Sequence, residues 1–282
     1  MDFRLDLFES IFKRAQRINF DYAPPVLDSV LILTSELAEA APATLIERSL
    51  GVLNRPMPPI VARRSLSNDA DELSIGNLVL DLSPDLIVLQ RHLLQGDHTW
   101  NRGFGGLVQS LIQHHSIPIL VLPNQLTEPN ESTGFTTVAA VVDQPLNNND
   151  LVNWASTFCN SPGALYLHHI EAEDQFERTM TAIERIPELN SQVARTTLKR
   201  ELMQEADRFL QHCQLTLQQY RPDLSVQYSV DMTRVQHGYL SWLEQTKPDL
   251  IVLDTLDATR ALNRGIAGAL SLQFTDLPFL LL

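Results

Sequence analysis

The hexapeptide PDLIVL occurs twice, as residues 84–89 and again as residues 248–253. Each copy is a continuous apolar run opened by Pro-Asp and closed by polar residues, the pattern of a strand buried on both faces of a parallel sheet. The flanking sequence repeats as well. After the first copy come Asn101-Arg102-Gly103, the helical stretch LVQSLIQHH and IPILVLP; after the second come Asn263-Arg264-Gly265, the helical stretch GALSLQF and LPFLLL. A helical segment precedes each copy, DELSIGNLVLDLS and VQHGYLSWLEQTK. Strand, loop, helix and proline-led strand, written twice, imply right-handed crossovers and a repeated α/β architecture.

Working outward, the second half reads as alternating strands and helices. Strands are expected at 137–143, 163–170, 225–230, 249–253 and 279–282, and helices at 149–159, about 197–220, around Leu240 and from Ile266. The first half is shorter. It reads as a helix over 3–18, a strand over 30–34, a helix over 43–53 and a weak strand over 59–63, ahead of the repeated unit. Four strands are expected there, the opening one being absent. Residues 124–136 are polar and contain a proline and a glycine, which suits a linker. The expected organisation is therefore α/β: two tandem domains, 1–123 and 137–282, each a parallel sheet with helices on both faces.

The chain has 282 residues, 44% hydrophobic and 20% charged, a composition that suits a folded protein and excludes a mostly disordered one. A net charge of −13 repels nucleic acid and anionic membranes. The longest apolar runs fall far short of the roughly 20 residues of a membrane helix, so no membrane span is expected. Cys159 and Cys213 form no CxxC pair, which points to reduced, buried thiols in a cytoplasmic protein. No nucleophile elbow, HExxH or GxxxxGK[ST] motif occurs, so no enzymatic activity is expected. His168 and His169 are adjacent on a strand and face opposite sides, which prevents them from chelating one metal. Arg4, Lys13, Arg14 and Arg17 lie opposite the apolar face of segment 3–18, but Asp2, Asp6 and Glu9 offset them. Packing on the sheet, or exchange with another subunit, is expected of this segment, not docking on a membrane surface.

The strand TVAAVVD, the phrase PDLIVL and the Gly–helix–Pro–strand endings at Gly105 to Pro118 and Gly265 to Pro278 resemble the universal stress protein family. The resemblance covers residues 137–282 well and about 25–123 loosely. It implies Rossmann-like domains of the adenine-nucleotide α-hydrolase type, often in tandem, pairing through their last strands into a pseudo-dimer, with a further homodimer expected. Family members that bind ATP are expected to carry G-x2-G-x9-G-[S/T] after the fourth strand, where glycine lets backbone N–H groups approach phosphate. In the second domain the motif falls on Asp254, Asp257, Gly265 and Ile266, with the wrong spacing and one glycine kept. Two carboxylates about 5 Å from a triphosphate would each repel it by roughly 1 to 3 kcal/mol. The resemblance also implies that an aspartate ending the first strand reads adenine; Asp143 holds that place, followed by Gln144-Pro145.

In the first domain the motif falls on Gln90, Leu93, Gly105 and Gly106, with Arg91 and Gly103 close by in a loop that is not acidic overall. The expected function is a regulator or scaffold that works through an unidentified protein partner and holds no cofactor. The alternative is a nucleotide-dependent switch or weak ATPase using the loop near Gly105, with ATP or AMP and magnesium.

Overall fold

A computed structural model of the chain describes residues 19–35, 60–67, 71–94, 102–124, 134–143, 148–187, 190–255 and 265–282. The helices expected at 3–18 and 43–53, and Asp257, lie outside the described residues. In chain order the described elements begin β1 (Ser29–Ser35), β2 (Ile60–Leu66), α1 (Glu72–Leu82), β3 (Leu86–Gln90), α2 (Gly106–His114) and β4 (Ile119–Leu122). There follow β5 (Phe135–Val141), α3 (Asn149–Phe158), β6 (Cys159–Ala172), α4 (Glu173–Ile183), α5 (Ser191–Tyr220) and β7 (Leu224–Thr233). The chain closes with α6 (Val235–Thr246), β8 (Leu250–Leu253), α7 (Ile266–Gln273) and β9 (Phe279–Leu281).

The strands form one sheet in the order β2-β1-β3-β4-β9-β8-β5-β6-β7, parallel throughout except where β4 meets β9. The continuous apolar runs explain the layering. In β3, Leu86 and Val88 join one core while Ile87 and Leu89 join the other, all of them at most 1% exposed. Each such side chain contributes about 1.5–3 kcal/mol by leaving water. Helices α3 and α5 cover one face, through Val152 and Phe158 of α3 and Phe209 and Leu217 of α5. Helices α1, α2, α6 and α7 cover the other, through Val79, Leu111, Tyr239 and Leu270. Cys159 and Cys213 are free thiols in the first of these cores, and burial raises both pKa values, Cys159 to about 12.

The apolar end of the chain is covered. Leu280 pairs with Leu120 and Leu281 with Ile119 in an antiparallel ladder, so neither strand is left as an aggregation-prone edge. Ahead of β1, residues 19–28 run as a strap over the second half. Phe20 N–H donates to His212 Nδ1, Asp21 N–H to Asn149 Oδ1 and Ala23 N–H to Asn153 Oδ1.

The repeat extends to backbone detail. Ser83 and Lys247, one residue before each PDLIVL, are left-handed helix caps with φ of 41° and 49°. The aspartate of each Pro-Asp pair then fastens the start of the neighbouring strand. Asp85 Oδ2 accepts from the N–H groups of Asp28 and Ser29 and from the Ser29 hydroxyl. Asp249 accepts from the N–H groups of Thr136 and Thr137 and from the Thr136 hydroxyl.

That equivalence corrects one expectation. Ser29 O accepts from Asp85 N as Thr137 O accepts from Asp249 N, and Val30 pairs with Leu86 as Val138 pairs with Leu250. Strand β1 is therefore the counterpart of β5, the opening strand, and β2 is the counterpart of β6. The strand without a counterpart among the described residues is β7, at the sheet's edge. Only residues 67–71 separate β2 from α1, whereas residues 173–234 between β6 and α6 carry α4, α5 and β7. Helix α4 was not expected from the sequence. It buries only Phe176 and Met180, and its acidic first turn, Glu173 and Asp174, masks so narrow an apolar stripe.

Candidate functional site

Open parallel sheets place ligand crevices at the carboxyl ends of the two strands from which the chain winds apart. In the second half these strands are β5 and β8, whose pairing ends at Val141 and Leu253. Each is followed within two residues by an aspartate: Asp143, exposed, and Asp254, half-buried. Two carboxylates thus stand at the mouth of this crevice. Helix α7 then starts at Gly265, whose φ of −101° and ψ of −175° are open to any residue, and no side chain caps it. Ile266, half-buried, stands at the motif's hydroxyl position and offers no polar group. Among the described residues no group of three or more His, Cys, Asp or Glu is arranged to hold a metal ion.

The histidine pair beside this crevice is built into the core. His169, 4% exposed, lies with Nδ1 2.7 Å from Val142 O and Nε2 3.4 Å from Glu171 Oε2. Since a carbonyl only accepts, the hydrogen bond at Nδ1 is donated by the ring. His168 lies with Nδ1 2.7 Å from Ser229 Oγ and is stacked on Trp242 at 4.7 Å between ring centroids, with Tyr239 edge-on at 5.6 Å. Burial lowers its pKa from 6.5 to about 4, although Asp231, 3.8 Å away, pulls the other way. Tyr239 OH accepts from Ile170 N–H and donates to Val142 O. The two imidazoles use their nitrogens on different strands, so no shared ligand set exists.

In the first half the equivalent crevice lies between β1 and β3. Its strand-end positions are Ser35, the counterpart of Asp143, and Gln90, the counterpart of Asp254, so the acidic pair is missing there. With β1 as its opening strand, the first half has a place equivalent to that of Asp143.

Arg91 does not serve this crevice as an anion ligand. Its side chain is 1% exposed, and its guanidinium donates to four carbonyl oxygens, those of Gly103, Ser271, Phe274 and Leu277, at 2.7–3.3 Å. It lies between the rings of Phe104 and Phe279, 5.3 and 4.9 Å from their centroids. Desolvation lowers its pKa to about 10, against the raising influence of Asp276. The cation thus closes the end of α7 in the second half onto the loop before α2 in the first. Its repeat counterpart is Thr255: the N–H of each donates to the end of the neighbouring strand, Arg91 to Leu122 O and Thr255 to Leu282 O.

Gly105 of the first-half loop also has a packing reason. Gly105 has φ +90°, and a Cβ there would lie 2.9 Å from the backbone N and Cα of His92. Gly103 has φ +84° with open space around it, and its N–H donates to Ser271 O. Gly103, Gly105 and Gly106 line a cavity of about 540 Å3 with Arg102, Gln236 and Gly265, so it is walled by both halves of the chain. Of the sequence-predicted residues the structure gathers Gly103, Gly105, Gly106 and Gly265 here, and leaves Asp143 and Asp254 at the other crevice. Gln236, from the first turn of α6, carried no sequence signal.

No family model matches this sequence, and no curated protein matches it. Solved structures do resemble its fold. A putative universal stress protein from Pseudomonas aeruginosa UCBPP-PA14 superposes with a TM-score of 0.55 at 12% identity, covering 91% of this chain and 93% of that one. A universal stress protein from Archaeoglobus fulgidus DSM 4304 gives a TM-score of 0.50 at 9% identity, covering 90% and 86%. The chain has the universal stress protein fold, as its sequence words implied. No described helix is long and apolar enough to cross a membrane.

Proposed function

We propose that this chain is a universal-stress-protein-like regulator or scaffold that works through protein contacts and does not bind ATP. It is organised as two domains, 1–123 and 137–282, joined by residues 124–136. The observation that carries this reading is the pair of aspartates, Asp143 and Asp254, at the ends of β5 and β8, with Ile266 where a phosphate-binding hydroxyl would stand. Phosphate brought to that crevice meets two negative charges and no hydroxyl at the helix start. The protein is cytoplasmic and forms a homodimer; it catalyses no reaction.

A second reading, a nucleotide-dependent switch in the first half, draws support from the uncharged Ser35 and Gln90 and from the cavity lined by Gly105 and Gly106. It is the weaker of the two, because Arg91, the cation nearest in sequence to that crevice, is spent on carbonyl groups. Native mass spectrometry of the purified chain separates the readings. The scaffold reading expects the bare mass of protein; a mass raised by one AMP, ADP or ATP favours the switch.

A further inference from the structure

Among the described strands β2 stands last at its end of the sheet. In the second half β6 carries β7 along its outer side, in a parallel ladder from Gly163–Leu224 to Ala172–Thr233, and α5 lies over both. Its counterpart β2 is the last strand of the sheet, with β1 on one side and no described strand on the other. Residues buried on β6 become exposed on β2. Matching the ladders to β1 and β5 sets Val61 against Leu165, Arg63 against Leu167 and Arg64 against His168. Leu165, Leu167 and His168 are at most 2% exposed, while Val61 is 39% exposed, Ile60 is 78% exposed, and Arg63 and Arg64 are both exposed.

The backbone of this edge is ready to pair. Ile60 N–H donates to Asp28 O, which turns the polar groups of Ile60, Ala62, Arg64 and Leu66 toward β1. Alternation along a strand then turns those of Val61, Arg63 and Ser65 outward. The side chains add a charge preference. Arg63 and Arg64 stand on opposite faces of the strand, in a protein of net charge −13, and neither forms an ion pair with a described carboxylate. Among the described residues the one side-chain bond either guanidinium makes is from Arg64 to Arg63 O.

From this edge we infer that β2 is the docking site for an extended acidic segment of a partner protein, which adds as a parallel strand in the place that β7 fills in the other half. The inference rests on the protein-contact reading above and names the chemistry of the partner. In the second half Leu165 faces Val226, Leu167 faces Tyr228 and His168 faces Ser229. The same register sets an aliphatic residue of the partner opposite Ile60 and another opposite Val61, and a carboxylate opposite each of Arg63 and Arg64. The segment thus reads aliphatic-aliphatic-x-acidic-acidic. Backbone pairing supplies the binding and the arginines supply the selection. A second copy of this chain is the poorer occupant: a twofold pairing of β2 with itself sets arginine beside arginine, and pairing of β2 with β7 of another copy builds an open polymer.

The test uses the full chain and a fluorescein-labelled peptide Ser-Val-Ile-Thr-Asp-Glu-Thr, read by fluorescence anisotropy. Saturable binding is expected, about tenfold weaker for the Asn-Gln version of the peptide and for the Arg63→Glu/Arg64→Glu protein. A Lys-Lys peptide is expected to bind that reversed protein and not the original. Val61→Pro, which removes an outward N–H and leaves the bonds to β1, is expected to abolish binding while the circular dichroism spectrum is kept. The inference is overturned if no peptide binds up to about 1 mM, if the acidic and neutral peptides bind alike, or if charge reversal leaves affinity unchanged. It is also overturned if Arg63→Glu/Arg64→Glu changes the sedimentation coefficient, since β2 then holds a second copy. Nucleotide released on denaturing the same preparation reports on the scaffold reading independently, so the two can fail separately.

Discussion

Acid should weaken this protein through His168 in a calculable way. The imidazole is 2% exposed and packed between Trp242 and Tyr239, and burial holds its pKa near 4 against 6.5 in an exposed histidine. The unfolded chain therefore takes up a proton at higher pH than the folded one. The stability that His168 confers as a neutral ring is complete above pH 6.5 and is lost as pH falls from there toward 4. The full loss is about 3 kcal/mol, and the part lost between about pH 7.5 and about pH 5.5 is roughly 1.4 kcal/mol. The lower pH is kept above the isoelectric point near 5.0, where solubility is least. Other groups titrate over the same range, so the comparison needs His168→Phe, which keeps an aromatic ring on Trp242 and cannot protonate. Urea unfolding at both pH values should show the wild type losing about 1.4 kcal/mol more than the variant. Equal losses would refute the assignment of a buried, neutral His168.

Three further perturbations test the frame. Arg91→Met takes the guanidinium donor from four carbonyl oxygens, of which Ser271 O keeps the Gly103 N–H, and should cost about 3 kcal/mol in urea unfolding; unchanged stability would mean that the clamp contributes nothing net. Asp85→Asn and Asp249→Asn should each cost about 1–2 kcal/mol, and by similar amounts, since each aspartate fastens the strand beside it with three hydrogen bonds. Widely different costs would contradict the equivalence of β1 with β5. Gly105→Ala, which brings a Cβ to 2.9 Å from the His92 backbone at φ +90°, should cost about 2 kcal/mol or more, and Gly103→Ala, with open space, about 1 kcal/mol; reversal of that order in thermal unfolding would count against the loop geometry.

The parts of the fold that were legible are those written in local pattern. PDLIVL is buried on both faces, and a six-residue identity with matching flanks made the repeat plain. Helix α4 was hidden because two buried residues, Phe176 and Met180, leave too little periodicity to see among acidic neighbours. The identity of the absent strand is hidden for a different reason. SVLILTS looks alike whether it opens a sheet or stands second, and what decides is its contact with Asp85, far along the chain. Arg91 shows the same limit at the candidate site. In sequence it is a cation beside a glycine-rich loop; only folding reveals that the C-terminal end of α7, some 180 residues later, has already taken it. The positions of Asp143 and Asp254 just past two strand ends were legible, because strand ends can be located from the apolar runs that lead into them.

The central claim is that this fold works without a bound nucleotide, and thermal unfolding of the full chain with and without Mg-ATP tests it most directly. A site with a Kd of about 10 μM would gain about 2.7 kcal/mol at about 1 mM ATP, a rise in Tm of about 5 °C or more for a chain of this size. The account predicts no rise. A shift of that size, reversed by removing the nucleotide, would contradict it.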